Sequence, residues 1–289
     1  MGKLLVVADL EGRCVAIPRG LELARSIGHS VELVAFVWTS LKGLKLNPAE
    51  TAKMKQRLLN EREKEMEARI DRYRKDGDQI TLKVIWSKDM VAWINRRVEG
   101  GKYAAVLKTG RRSESVVHTP SDWQLLRECP VPVYILARDK WGRTEPVLAA
   151  LDLGTDNRAK QRLNRTIIAK AKTLAGALNA ELKFICALEV PALLAELDIV
   201  DPTAYANEQK KRMEPLISEL AEESGLPRSV FSIKRGPVAK VINSEAARLR
   251  AQLVVVGCVG RKGVKARLLG NTAESVLELL HTDILAIKP

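Results

Sequence analysis

Aromatic side chains make up only 4% of this 289-residue chain, histidine occurs three times and cysteine four times. Cys14, Cys129, Cys186 and Cys258 form no Cys-x-x-Cys pair, and His29, His118 and His281 stand at no metal-ligand spacing from one another or from a cysteine. The usual zinc and redox signatures are therefore missing, so free thiols in apolar surroundings are expected and a metal site is not. No apolar run approaches the ~20 residues of a membrane-crossing helix. The opening run ends at Asp9, too early for the core of a secretion signal, and Val6 stands where a myristoylation motif needs Ser or Thr. The chain is expected to be cytoplasmic, without membrane insertion. No Gly-x-Ser-x-Gly elbow, Ser/His/Asp set or pair of carboxylates nominates a catalytic centre. The His-x-Gly-His and Ser-Gly-Gly-x-Asp-Ser signatures of adenylyl-transferring enzymes are absent too. No catalytic residue is assigned.

What the chain has in excess is positive charge, 48 basic against 35 acidic residues and a net +13. Such a balance raises the question of nucleic acid. The excess is spread evenly, however, with 27 basic and 19 acidic residues in positions 1–145 and 21 and 16 in the rest. Basic residues are not interleaved with aromatics in the second half, and nucleic-acid binding ranks last among the readings. The longest charged stretch, Glu61 to Asp78, sets Glu65 against Arg69 and Asp71 against Lys75 at i,i+4, as on a solvated helix face.

Short β-rich runs alternate with helical patterns along the whole chain, the rhythm of parallel strands joined by helical crossovers. Strands are expected at Leu4 to Asp9, Val31 to Trp38, Ile80 to Trp86, Ala104 to Lys108 and Val133 to Ala137. A second set follows at Val147 to Asp152, Glu181 to Leu188, Val230 to Lys234, Leu253 to Gly257 and Ile284 to Lys288. Pro18 suits a first helical turn, Asn47-Pro48 opens the long charged helix and Gly77 is placed to end it.

The two sets repeat one order. Leu4 to Leu10 parallels Val147 to Leu153, each an apolar run ending in Asp-Leu. A period of about 145 residues is a domain duplication rather than a solenoid repeat. Two tandem Rossmann-like α/β domains are expected, at 1–140 and 146–289, each with a five-stranded parallel sheet flanked by helices, joined by a linker at Asp139 to Pro146. The halves could pair as an internal pseudo-dimer through their final strands, or two chains could join as a homodimer.

The informative segment lies near the end of the second half. Strand Leu253 to Val256 runs into Gly257-Cys258-Val259-Gly260, and Gly270-Asn271-Thr272 follows before a helix. Glycines let backbone N–H groups approach an anion, and a helix start adds free N–H groups and the positive end of its dipole. Arg261, Lys262, Lys265 and Arg267 add charge between them. At the carboxyl edge of a doubly wound sheet this is where open α/β folds bind ligands, and Asp152, ending the first strand of the half, belongs to the same crevice. A bare strand-to-helix turn would use the glycines equally well.

The spacing Gly-x2-Gly-x9-Gly followed by a small polar residue resembles the nucleotide-binding signature of universal stress proteins. Asp152-Leu153 resembles that family's first-strand Asp, and Thr282 to Pro289 its closing strand. The tandem arrangement, Gly270 to Glu274 and Thr119 to Trp123 together resemble the E subgroup. The resemblance implies a stress-response binding module. In its second domain adenine would lie near Asp152 and Ala187, and the phosphates of ATP, or of another adenine nucleotide, would lie on Gly257, Val259, Gly260, Arg261, Gly270, Asn271 and Thr272, with Mg at most accompanying the nucleotide. ATP-binding relatives carry Ser or Thr directly after the third glycine, whereas this chain has Asn271 there and its hydroxyl one place later. Aligning the fourth strands sets Lys108 opposite Gly257, Arg111 opposite Gly260 and Thr119 opposite Gly270, so the nucleotide site of the first domain is expected to be lost. Any enzymatic activity would be at most slow ATP hydrolysis. The rival reading is a nucleotide-independent scaffold that accepts a lipid-like molecule or a protein.

Overall fold

The computed structural model describes residues 2–9, 14–110, 120–137, 142, 145–190, 201–258, 274–276, 278 and 282–289. The chain divides into two units, Met1–Lys140 and Trp141–Pro289. In the first, strands β1 (Lys3–Ala8), β2 (Ser30–Val37), β3 (Ile80–Trp86), β4 (Tyr103–Thr109) and β5 (Val133–Leu136) alternate with helices α1 (Ala16–Ile27), α2 (Pro48–Asp71), α3 (Met90–Val98) and α4 (Pro120–Glu128). All neighbours are parallel, in the order β3-β2-β1-β4-β5. The second unit repeats this with β6 (Val147–Leu151), β7 (Leu182–Leu188), β8 (Phe231–Arg235), β9 (Leu253–Gly257) and β10 (Asp283–Ile287) in the order β8-β7-β6-β9-β10. Its described helices include α5 (Arg158–Ala177), α6 (Pro202–Ser224) and α7 (Val238–Leu249).

Parallel strands covered on both faces must be apolar on both, and Leu4, Leu5, Val6, Val7 and Ala8 are all buried. Each covering helix supplies a stripe at helical spacing. In α5 the buried set is Leu163, Asn164, Ile167, Ile168, Ala171, Leu174 and Ala175. Helix α2, charged over most of its surface, buries only Arg62, Met66 and Ile70, four residues apart. Asn47 opens it with a capping box, its side chain accepting from the Glu50 N–H at 2.9 Å while the Glu50 carboxylate accepts from the Asn47 N–H at 2.9 Å.

Two local expectations need correction. Helix α2 ends at Asp71, well before Gly77, which instead takes φ of 87° in the turn leading to β3. With Lys75 outside the helix, Asp71 pairs with Arg74 at 3.3 Å, whereas the expected Glu65–Arg69 pair forms at 2.7 Å.

Buried carboxylates fasten helices to sheets in both units. Glu32 on β2 is 2% exposed and accepts both arms of Arg97 from α3, each at 2.7 Å. In the second unit, Glu245 of α7 accepts from Arg248 at 2.6 Å and from Lys234 of β8. The Arg248 hydrogen bonds, opposed by burial and aided by Lys234, hold its carboxyl at about 2 against an ordinary 4.5. A depressed folded-state value makes the stabilisation complete above the unfolded value and lost as pH falls through the folded one. Glu245→Gln should therefore cost on the order of 2 kcal/mol at neutral pH, discounted for the exposed ends of its cations, and should flatten the acid limb of stability between the two values. Calorimetric melts across that range check this, and parallel wild-type and variant curves would refute it.

Candidate functional site

The order 3-2-1-4-5 puts the topological switch point of the second unit between β6 and β9, the place where open α/β folds bind ligands. Three of the nine residues nominated from sequence lie in the described part of that edge. Asp152 follows β6 directly, and Ala187 stands one residue past the Leu151–Cys186 pair, level with it. Gly257 ends β9, opposite Ile287. The other six, Val259, Gly260, Arg261, Gly270, Asn271 and Thr272, lie outside the described residues.

Asp152 is held by its backbone and open by its side chain. Asn164 of α5, 4% exposed, accepts from the Asp152 N–H at 3.1 Å and donates to the Asp152 carbonyl at 2.7 Å. This amide clamp fixes the strand end without using the carboxylate, which is 52% exposed and receives Lys160 at 2.8 Å. An exposed pair of this kind is worth about 1 kcal/mol or less, so a ligand donor could displace Lys160. Sequence reading missed Asn164. Its signal was a polar residue within the apolar stripe of α5.

Gly257 has a packing reason for lacking a side chain. A Cβ there would stand 2.7 Å from Leu163 Cδ2 and 3.1 Å from Ile167 Cδ1, so any larger residue would have to displace the side-chain ends of α5. The close approach at this strand end is that of a helix. No left-handed backbone is needed, as Gly257 is not among the residues of positive φ.

Strand registers correct the alignment of the two halves. Leu4 pairs with Ala105 as Val147 pairs with Leu253, and the Gly110 N–H donates to Leu136 as the Cys258 N–H donates to Ile287. The residue matching Gly257 is therefore Thr109, and Lys108 matches Val256. A slip of one position exchanges the faces of a strand, which is why it matters. The Thr109 hydroxyl accepts from the N–H groups of Val15 and Ala16, both at 3.1 Å, and so caps the start of α1 where the second unit has only glycine. Lys108 is buried in an ion pair with Asp122 at 2.6 Å and also donates to the Thr109 carbonyl at 3.1 Å. At the end of β1, Asp9 is 6% exposed and its carbonyl accepts from the buried Arg62.

The thiols supply no reactive group at this edge. Burial pushes Cys186 up to about 11 and Cys258 up to about 12, and burial aided by the Asp9 carboxylate raises Cys14. Among the described residues no three His, Cys, Asp or Glu side chains gather as a metal site, and no helix is long and apolar enough to cross a membrane.

Duplicated five-stranded parallel sheets, each in the order 3-2-1-4-5 with flanking helices, define a class of tandem doubly wound α/β proteins. The model of the universal stress protein family matches residues 145–288. Universal stress protein E of Escherichia coli (strain K12) is 30% identical over 294 residues, covering 99% of this chain and 93% of that protein. The chain belongs to the universal stress protein family. A Haemophilus influenzae homologue of universal stress protein E is 28% identical over 250 residues, covering 84% of this chain and 81% of that one. Among solved structures, a functionally unknown protein from Pseudomonas aeruginosa PAO1 superposes with a TM-score of 0.73 at 25% identity, over 99% of this chain and 92% of that one. A universal stress protein from Archaeoglobus fulgidus DSM 4304 shares the fold, with a TM-score of 0.67 at 19% identity over 99% and 98% of the two chains.

Proposed function

We propose that the second unit is a stress-response binding module for an adenine nucleotide, ATP being the first candidate, and that its work is binding rather than turnover. One observation carries the reading: the segment spaced as Gly257, Gly260 and Gly270 starts at the carboxyl end of β9, at the switch point that also holds Asp152. In this reading Asp152 and Ala187 face the base and ribose, and the phosphates lie against Gly257, Val259, Gly260, Arg261, Gly270, Asn271 and Thr272, with Mg at most accompanying them. A nucleotide-independent scaffold is favoured by one fact, that Gly257 has a packing role against Leu163 and Ile167 apart from any ligand. Freshly purified protein, denatured and analysed for released small molecules, tests both, together with calorimetry of ATP binding to the stripped protein. Release of an adenine nucleotide, or a saturable heat with ATP, is the expected result. An apolar ligand released instead, with no heat from ATP at ~1 mM, would favour the scaffold.

A further inference from the structure

A cleft of about 750 Å³ opens above the carboxyl ends of β1, β2 and β4 in the first unit, where the nucleotide signature is missing. Clefts of a few hundred to a thousand Å³ with apolar walls and a few placed polar groups are the common form of small-molecule sites. Its walls include Phe36, fixed edge-on against Trp93 at 5.5 Å, together with Met90 and Trp38. The Trp38 indole is 45% exposed, a large apolar surface left at the mouth of a cavity.

The charged groups around this cleft are unequally committed. Lys108 is neutralised by Asp122, and Asp89 accepts from the Ala92 N–H as the cap of α3. Asp9 is buried at the inner end, where its carboxylate meets the Cys14 thiol. Lys88 differs from all of these. It is exposed at the mouth, its ammonium lies 5.3 Å from the centre of the Trp38 ring, and among the described residues no carboxylate pairs with it. A cation resting on an indole face, beside an apolar wall, offers a planar ligand both a ring to stack on and a charge to meet.

We propose that this cleft binds a planar aromatic carboxylic acid, its ring against Trp38 and Phe36 and its carboxylate paired with Lys88. Among the described residues lining the cleft, Lys88 is the cation without a carboxylate partner, and a single negative charge at the mouth complements it. Among the described residues, a polyphosphate would bring three or four charges towards Asp9 and Asp89, with Lys108 already held by Asp122, so the ligand class differs from that proposed for the second unit.

Calorimetry of the full chain with indole-3-acetate, indole-3-acetamide and ATP tests this. The acid should bind about tenfold more tightly than the isosteric amide, the difference made by one charge-assisted contact. Lys88→Gln should reduce the acid to the level of the amide and leave the amide unchanged, whereas Lys88→Arg should keep the preference. Trp38→Ala should weaken acid and amide alike by about tenfold. Both side chains are exposed, so circular dichroism should show intact folds. Equal binding of acid and amide, or a preference that survives Lys88→Gln, would overturn the proposal. So would the absence of any heat with the acid at ~5 mM, or binding of ATP that depends on Lys88.

Discussion

Lys108→Ala should lower the stability of the first unit by roughly 3–5 kcal/mol. The side chains of Lys108 and Asp122 are 6% and 0% exposed and meet at 2.6 Å, so removal of the amine takes a cation away from a carboxylate held in the interior. Desolvation of an ion of that size costs several kcal/mol, and the buried Lys108 ammonium offsets part of it. The same reasoning gives the opposite outcome for the pair removed together. Lys108→Met with Asp122→Leu replaces two charges by apolar groups of similar volume and should recover most of the loss. The tryptophans make the measurement selective, because Trp38, Trp86, Trp93 and Trp123 all belong to the first unit and only Trp141 belongs to the second. Urea unfolding followed by tryptophan emission therefore reads the unit that carries the substitution. A loss below about 1 kcal/mol for Lys108→Ala would mean that water reaches the pair.

The fold could be read from sequence because parallel strands buried on both faces are continuous apolar runs, which no solvent-facing element imitates. Expected and observed strands coincide at Ile80–Trp86 and Leu253–Gly257, and elsewhere in the first unit they differ by one residue at one or both ends. What failed was local and depended on three-dimensional contact. Gly77 looked like a helix terminator, but the charged helix stopped at Asp71. The one-residue error in matching Lys108 to Gly257 arose because both sit at the ends of apolar runs. Only the pairing partners across β1, β4 and β5, compared with those across β6, β9 and β10, show that Thr109 takes that place. Asp152 was visible as the last polar residue of a strand, whereas the Asn164 clamp that positions it comes from a helix 12 residues on. Likewise Lys88 and Trp38 lie 50 positions apart, and neither carries a motif; the fold alone brings them together.

Gly260→Arg should abolish adenine-nucleotide binding by the second unit, with a loss of about a hundredfold or more. The first half supplies the precedent for the substitution, because arginine stands opposite Gly260 whether the halves are matched at Arg111 or, by strand register, at Arg112. In the proposed site the phosphates are met by backbone N–H groups, and an arginine side chain would fill the space through which they reach the ligand. Each charge-assisted hydrogen bond lost is worth roughly 1.5–3 kcal/mol, so two account for the expected effect. Charge alone predicts the reverse, since an added cation attracts phosphate, and the outcome therefore separates geometry from electrostatics. Gly257 is the wrong place for this test. A Cβ at that position meets Leu163 at 2.7 Å, so Gly257→Ala would shift the Leu163 side chain and mix a packing change with any effect on a ligand. Calorimetry or a ligand-induced thermal shift is the suitable readout, because tryptophan emission reports mainly the first unit. Equal binding by wild type and Gly260→Arg would place the nucleotide elsewhere. No binding by wild type at ~1 mM would end the nucleotide reading itself and leave the scaffold as the function of the second unit.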